Sequence, residues 1–376
     1  MSRSNKLWNA FFVVCFLAIL FLPLITMPLS SQSTIESEKR NPNPWPRWNE
    51  LFSNTYPEFA AKFEEAFQDR FGMRVGMTRL YNRLLFHLDL MSFSRTLVAQ
   101  GKGGWHFYAS GGDEDTLQIY SGGLDFDDDE LNRMTSALLA WQDWLAKKDI
   151  RFYYLLLPDK ISVYSQYKPT YLSKNPSGTR TEKLSLSLER EGVNVINPLE
   201  TLSILARHND LLYFKWDTHW TWLGSYHAYL DTLRAITKDF SNLEAYKLPN
   251  YVFTESTRTG GDLVDLLGIG GNYSDHFIEV TADGAALPNF QETGSLEMGE
   301  TVKVSWGDPS LPRAVIFHDS FMLSMGSYLA ANFRETTFVF RDELEKQIIE
   351  RENPDLVIFA QVERFAHQLL KQPFPE

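Results

Sequence analysis

Three residues of this 376-residue chain have the types and spacing used in nucleophilic acyl chemistry. Asp217 and His219 lie two positions apart in WDTHWTWLG, and Ser320 follows an apolar run in RAVIFHDSFM. A serine hydroxyl is a weak nucleophile until a base takes its proton, and the base works best when a carboxylate orients it. The three residues therefore predict a divided catalytic triad: Ser320 as nucleophile, His219 as base and Asp217 as the orienting carboxylate.

The elements around these residues favour the same interpretation. Ser320 stands at a predicted strand-to-helix turn, where its own backbone N–H is a free donor that could stabilise an oxyanion. The run LLYFKW (211–216) predicts a strand that ends at Asp217, and alternate residues of an extended segment face the same way. We therefore expect Asp217 and His219 to share a face at the carboxyl edge of a sheet, with Ser320 at the same edge.

Other roles remain open for these residues. Asp319 or Ser320 could simply cap the helix that follows, and a histidine among tryptophans could be a core residue. A metal site would need a third and a fourth ligand beside Asp217 and His219, and His227, about two helical turns on, is poorly placed to be one. We therefore expect no metal and no cofactor. His318 is too close in sequence to serve Ser320 as a base and is expected to be buried or to cap the helix.

Strands and helices alternate along most of the chain. The predicted strands are 95–100, 150–158, 192–198, 211–216, 313–318, 336–340 and 355–360, and residues 101–108 predict a glycine turn that leads into a further strand. The predicted helices are 57–72, 73–88, 127–148, 180–191, 199–208, 221–237, 321–333, 341–351 and 362–371. This alternation, with several continuous apolar strands, predicts an α/β fold with a mainly parallel sheet between two helical layers. Residues 238–306 are poorly periodic and predict an irregular insertion.

The amino terminus predicts a membrane anchor over residues 1–29. Leu7 to Met27 is almost wholly apolar and long enough to cross a bilayer core. Arg3 and Lys6 precede it and the first charge after it is Glu36, so the amino terminus is expected in the cytoplasm and the rest outside. A cleaved signal peptide is the alternative. Residues 30–50 then form a linker and 51–376 the exported domain. The formal net charge of -12 argues against a nucleic-acid partner.

Several motifs together resemble the AlgJ/AlgX-like family of alginate O-acetyltransferases, which are SGNH-hydrolase-like proteins. Asp-x-His-Trp at 217–220 followed by Asp-Ser-Phe at 319–321, in that order, is the most specific part of the resemblance. The weaker segments are FEEAFQDRFGMRVGMTRLYNRL, LVAQGKGGWHFY, LLLPDKISVY, TGGDLVDLLG and PDLVIFAQVERF. His318 departs from the pattern, since the family usually has glycine there, and a side chain at this position could crowd the nucleophile turn.

The resemblance implies an enzyme that moves acetyl groups onto an exported polysaccharide. It also implies a single-pass inner-membrane protein with its catalytic domain in the periplasm, supplied with acetyl groups by a membrane-bound O-acyltransferase. An acetyl esterase with the same triad, or a non-catalytic assembly protein of an acetylation complex, are the alternatives. Beyond the triad, Lys160, Trp220 and Arg364 are candidates for binding substrate, and Gly104, with Gly103 beside it, could add a backbone N–H to the oxyanion site of Ser320.

Overall fold

A computed structural model describes most of the chain. The described residues are 3–38, 43–52, 56–88, 97–109, 112–208, 211–241, 243, 251–269, 273–282, 299–305 and 308–375. The chain divides into two compact units, Met1–Met91 and Ser92–Glu376.

The first unit is helical. It contains α1 (Arg3–Glu38), a 3₁₀ turn at Trp48–Phe52, α2 (Tyr56–Arg70) and α3 (Arg74–His87). Within α1, Trp8–Met27 has a mean hydropathy of 2.8 and is long enough to cross a membrane. The helix continues to Glu38, through the first part of the segment predicted as a linker.

The second unit is built on a six-stranded sheet with the order β4-β3-β10-β8-β9-β7. The strands of the unit are β1 (Val98–Gln100), β2 (His106–Tyr108), β3 (Arg151–Leu157), β4 (Val195–Ile196), β5 (Tyr251–Thr259), β6 (Ser274–Ala282), β7 (Thr301–Ser305), β8 (Arg313–His318), β9 (Glu335–Phe340) and β10 (Leu356–Val362). The helices are α4 (Thr116–Ser121), α5 (Asp128–Ala146), α6 (Lys160–Val163), α7 (Arg180–Arg190), α8 (Leu199–Ala206), α9 (Trp222–Ile236), α10 (Asp262–Leu267), α11 (Met322–Ala330) and α12 (Lys346–Glu352). Two further antiparallel pairs, β1–β2 and β5–β6, lie outside the main sheet.

Every neighbouring pair in the main sheet is parallel except β7, which runs antiparallel to β9 at the edge. Ala360 of β10 pairs with His318 of β8, and Val362 of β10 pairs with Leu157 of β3. The carboxyl ends of these three central strands therefore meet, which brings the segments that follow them to one edge of the sheet.

Alternate residues of the strands pack into two apolar layers. On β3, Tyr153 and Leu155 face a layer that includes α9 and α11, while Phe152 and Tyr154 face a layer that includes α5, α7 and α12. The strands are buried on both faces, which explains their continuous apolar sequences. The predicted α/β/α fold with a mainly parallel sheet is confirmed.

Four predicted elements differ in the structure. Residues 211–216 are not a strand but part of a compact loop closed by a bridge between Tyr213 and Trp220. The helix expected at 341–351 begins only at Lys346, and the terminal helix is a 3₁₀ helix over Glu363–Lys371. The region 238–306 is more regular than predicted, because it contains β5, α10, β6 and β7; residues 283–298 lie outside the described residues.

Candidate active site

The side chains of Asp217, His219 and Ser320 form a hydrogen-bonded chain. Nδ1 of His219 lies 2.7 Å from Oδ1 of Asp217, and its Nε2 lies 2.8 Å from Oγ of Ser320. Asp217 is buried, whereas His219 and Ser320 are half-buried. If Nδ1 carries the imidazole proton and donates it to Asp217, the lone pair on Nε2 faces the serine hydroxyl, as general-base catalysis requires.

Asp217 and His219 meet through a turn and not through an extended strand. Oδ1 of Asp217 also accepts the backbone N–H of His219 at 3.0 Å, so the carboxylate folds the chain back onto the residue two positions on. The loop is closed on either side, where Phe214 N–H donates to the carbonyl of His219 and Thr221 N–H donates to that of Leu212. The expected proximity of the two side chains holds, but the reason given for it was wrong.

The second oxygen of Asp217 is held by residues of the β5–α10 segment. Arg258 donates to Oδ2 from 2.9 Å, and the backbone N–H of Asp262 lies 3.3 Å from the same atom. Burial alone would raise the pKa of Asp217, but the hydrogen bonds and charge of His219, together with the Arg258 guanidinium, lower it below its ordinary value. Asp217 is therefore ionised at neutral pH and can stabilise a positive imidazolium.

Asp262 is a second carboxylate at the base. Its Oδ1 accepts the backbone N–H of Thr218 at 2.7 Å, its other oxygen accepts the Thr218 hydroxyl, and Oδ2 lies 3.7 Å from Nδ1 of His219. The residue before it, Gly261, has φ of 147°, and a Cβ there would lie 2.2 Å from the carbonyl oxygen of Trp216. Only glycine allows the segment to come this close, so Gly261 brings Asp262 onto the loop.

Asp217, His219 and Asp262 place three potential ligand atoms within 4.8 Å of one another. Asp262 is the third ligand that the sequence did not reveal. In this structure, however, Oδ1 of Asp217 is bonded to His219 and Oδ2 to Arg258, so a metal ion would have to displace a guanidinium. The arrangement suits an ion-paired base better than a cation site.

Asp319 anchors the turn that carries Ser320. The Asp319 carboxylate accepts the backbone N–H of Phe321 at 2.9 Å and, across the sheet edge, that of Val362 at 2.6 Å. Burial raises its pKa to about 6. The backbone N–H of Ser320 itself makes no hydrogen bond to any residue in the described part of the chain, which leaves it available to an oxyanion.

His318 does not crowd the nucleophile. Its ring is fully buried, stacks on Phe340 with centroids 5.3 Å apart, and donates from Nδ1 to the carbonyl of Asp319 at 2.8 Å. Burial lowers its pKa to about 4, so the ring is neutral at pH 7. The expectation that His318 is buried is confirmed, and its hydrogen bond helps to hold the turn before Ser320.

Three expected substrate-binding residues are buried. Lys160 is 3% exposed, and its ammonium donates to the carbonyls of Phe214, Lys215 and Asp217 at 3.0, 3.2 and 2.7 Å. Trp220 is 1% exposed, and its indole N–H donates to the carbonyl of Phe321 at 3.0 Å. These two side chains support the loop and the nucleophile turn, because their polar groups are satisfied by backbone atoms.

Arg364 is also buried, in an ion pair with Asp159. Asp159 follows β3 and accepts the backbone N–H of Arg364, which follows β10, so the pair joins two strand ends. The guanidinium lies 5.2 Å from the ring centroid of Phe321. Its place is beneath the nucleophile turn, where it cannot meet a polymer.

A cleft of about 650 Å³ exposes the Ser320 hydroxyl. Its lining comes from residues 214–222, 258–265 and 320–324, and the Gly103–Gly104 turn is not among the described residues that form it. The structure therefore gives no support to Gly104 as an oxyanion donor. Trp222 is half-buried in the wall, stacked on Phe277 with ring centroids 5.0 Å apart, so the aromatic platform expected at Trp220 lies two residues further on.

Sequence reasoning missed Arg258 and Asp262. A signal existed for Asp262, since it lies in the glycine-rich TGGDLVDLLG segment. Arg258 had none, because its partner is 41 positions away and their contact depends on where the β5–β6 hairpin lies.

With this geometry in hand, the chain can be compared with known proteins. Residues 98–281 match the family of AlgX SGNH hydrolase-like acetyltransferase domains. This part of the chain belongs to the AlgX family. The resemblance predicted from the motifs is confirmed, and with it the SGNH-hydrolase-like character of the fold. No curated protein sequence matches the chain.

Solved structures share the fold at low sequence identity. PatB1 of Bacillus cereus is 14% identical with a TM-score of 0.54, over 75% of this chain and 100% of that one. A DHHW family protein of Eubacterium siraeum is 13% identical with a TM-score of 0.50, over 74% and 100% of the two chains. The O-acetyltransferase domain of Pseudomonas putida AlgJ is 15% identical, over 74% and 99%, with a TM-score of 0.47.

Proposed function

We propose that the protein is an O-acetyltransferase that passes acetyl groups, through an ester on Ser320, to hydroxyl groups of an exported polysaccharide. The observation that supports this most directly is the hydrogen-bonded chain from Asp217 through His219 to Ser320 at the wall of an open cleft. The AlgX family match supplies the acetyl group as the acyl unit.

In the first half-reaction, Nε2 of His219 takes the proton of the Ser320 hydroxyl as Oγ attacks the acetyl carbonyl carbon of the donor. The tetrahedral intermediate carries its negative charge beside the free N–H of Ser320. Asp217 stabilises the imidazolium through Nδ1. The intermediate collapses when the bond to the leaving group breaks and His219 returns the proton to that group, which leaves acetyl-Ser320.

In the second half-reaction, a sugar hydroxyl replaces the donor. His219 takes its proton, the sugar oxygen attacks the acetyl-serine carbonyl, and the Ser320 oxygen leaves with the proton from His219. Trp222 offers an aromatic face in the cleft, on which the apolar face of a sugar ring can stack. We assign the acceptor-binding role expected of Trp220 to Trp222 on this basis.

The apolar segment Trp8–Met27 supports a single-pass anchor in the inner membrane, with the second unit in the periplasm. This location would suit a membrane-bound O-acyltransferase partner that delivers acetyl groups from a cytoplasmic donor. Cell fractionation with alkaline carbonate extraction tests the anchor: an integral protein stays in the membrane pellet, and a cleaved signal would release a shorter soluble chain.

The decisive experiment is to trap the acetyl group. The full chain, in detergent micelles, is mixed with an activated acetyl ester, quenched in acid, and mapped by peptide mass spectrometry. An acetyl group on Ser320 is expected in wild type and is expected to be lost in Ser320→Ala. Ser324→Ala, a neighbouring serine of the same cleft, serves as the matched control and should still be labelled at Ser320. A folded wild-type chain that never carries acetyl at Ser320 would contradict the proposal and favour a non-catalytic assembly role.

An acetyl esterase is the second candidate, because the open cleft also admits water to the acyl-enzyme. Adding an oligosaccharide acceptor separates the two activities. A transferase forms acetylated sugar, and free acetate falls as acceptor is added. An esterase releases acetate at a rate that does not depend on the acceptor.

A further inference from the structure

Helix α3 exposes a continuous apolar stripe. Met77, Leu80, Tyr81, Leu84 and Leu88 are 51%, 61%, 58%, 53% and 63% exposed. Their spacing of three and four residues places them on one side of the helix. Isolated exposed apolar residues are common on protein surfaces, but an aligned set of five on one helix indicates a binding surface.

The start of α3 lies against the end of the apolar segment of α1. A Cβ on Gly72, two residues before α3, would lie 1.9 Å from the carbonyl oxygen of Pro23 and 2.3 Å from Oγ1 of Thr26. Pro23 and Thr26 belong to the last turns of Trp8–Met27. If this segment crosses a bilayer, its end lies at the membrane surface, and α3 begins there too.

The charge of α3 is opposite to that of the chain. Its sequence, RVGMTRLYNRLLFH, contains three arginines and no acidic residue, whereas the whole protein has a net charge of -12. Arg79 and Arg83 are exposed and lie outside the apolar stripe, one helical turn apart. An apolar stripe flanked by arginines is typical of helices that lie in the interface of an anionic membrane.

We propose that α3 lies on the bilayer surface beside the anchor, with its apolar stripe in the boundary between headgroups and acyl chains and its arginines among anionic lipid phosphates. The inference rests on the membrane anchoring proposed above. Lipid is the occupant that the positions favour, because the contact at Gly72 brings α3 to the bilayer whether or not any protein partner is present.

The single cysteine of the chain makes this testable by site-directed spin labelling. In a Cys15→Ser background, Leu84→Cys places a nitroxide in the stripe, and Thr78→Cys places one at an exposed position outside it. Leu88→Cys provides a second stripe position if Leu84→Cys does not fold. Each full chain is reconstituted into phosphatidylcholine vesicles with and without phosphatidylglycerol, and accessibility to oxygen and to a water-soluble nickel chelate is measured.

The expected result is a nitroxide at position 84 that oxygen reaches and nickel does not, beside a nitroxide at position 78 that nickel reaches freely. The contrast between the two positions should increase with phosphatidylglycerol. Equal nickel accessibility at both positions overturns the inference, and shielding of position 84 from both reagents would show that protein covers the stripe instead. Carbonate extraction of the same vesicles distinguishes these results from a failure of the anchor itself, since an unanchored chain would leave the membrane.

Discussion

Oδ2 of Asp262 lies 3.7 Å from Nδ1 of His219, so the candidate base faces two carboxylates. Asp217 bonds the imidazole directly, whereas Asp262 holds the preceding residue, Thr218, through its backbone N–H and hydroxyl. Burial and then the charge of Asp217 raise the pKa of Asp262. The β5–α10 segment therefore contributes to the geometry of a base that lies more than 40 positions away in sequence.

Replacing Asp262 with Asn tests whether its charge and hydrogen bonds position the base. The amide can still accept the Thr218 N–H, but the negative charge near His219 is lost. We expect kcat with an activated acetyl ester to fall about tenfold, which corresponds to about 1.4 kcal/mol. KM should change little, because Asp262 acts through His219. Asp265→Asn, on the same short helix, is the control and should keep wild-type kcat. An unchanged kcat in Asp262→Asn would show that Asp262 is dispensable for the base.

Arg258 and Asp262 should act on Asp217 in opposite senses. Arg258→Ala leaves Oδ2 of Asp217 without its guanidinium, and the carboxylates of Asp217 and Asp262 then repel each other with less compensation. We expect Arg258→Ala to lower kcat by about 10- to 100-fold, consistent with the loss of a charged hydrogen bond. In the Asp262→Asn background the same change should cost less, because one of the two charges is gone. A double-mutant cycle on kcat measures this coupling, and strictly additive effects would rule it out.

Lys160→Met separates a structural lysine from one that binds substrate. The three carbonyls that the ammonium now satisfies would lose their donor in a buried place. We expect the free energy of unfolding to fall by about 3 kcal/mol, with no selective rise in KM for the acceptor. Lys174→Met, which removes an exposed lysine paired with Glu182, should cost less than about 1 kcal/mol. A rise in acceptor KM at wild-type stability would restore the substrate-binding role first expected for Lys160.

The sequence was most informative where one local pattern determines the structure. The apolar runs of β3, β8 and β10 predicted buried parallel strands, and the polar residues after them correctly predicted a shared sheet edge. LLYFKW has the same apolar character, yet its backbone turns back because Asp217 and Thr221 supply hydrogen bonds that close a loop. Hydrophobicity alone does not distinguish these two outcomes.

Roles that depend on distant contacts could not be predicted in this way. Lys160 follows a strand end, where a cleft-facing position was reasonable, and its burial depends on carbonyls more than 50 positions along the chain. Trp220 and Trp222 have the same residue type in the same motif, and only the packing of Phe321 and Phe277 decides which of them is exposed. Arg258 shows the limit most clearly, since no local pattern marks it.

Asp319 predicts how stability depends on pH. Burial raises its pKa in the folded protein to about 6 from an ordinary value of 3.8, so the folded state binds a proton more tightly than the unfolded state. The stability that this proton contributes is complete below pH about 4 and is lost as pH rises towards 6, up to about 3 kcal/mol for a two-unit shift. Glu363, whose pKa burial and Asp159 raise to about 7, changes stability in the same direction.

The measurement is urea unfolding of wild type and Asp319→Asn at pH 4, 5, 6 and 7. Wild type should lose stability across this range. Asp319→Asn should be less stable at pH 4, because an amide oxygen cannot accept both the Phe321 and the Val362 N–H as well as a carboxyl group does. Its stability should also fall less steeply between pH 4 and 6, with the remaining slope due to Glu363. Parallel pH profiles for the two proteins would show that Asp319 is ionised in the folded state throughout, and that its two backbone hydrogen bonds outweigh the effect of burial.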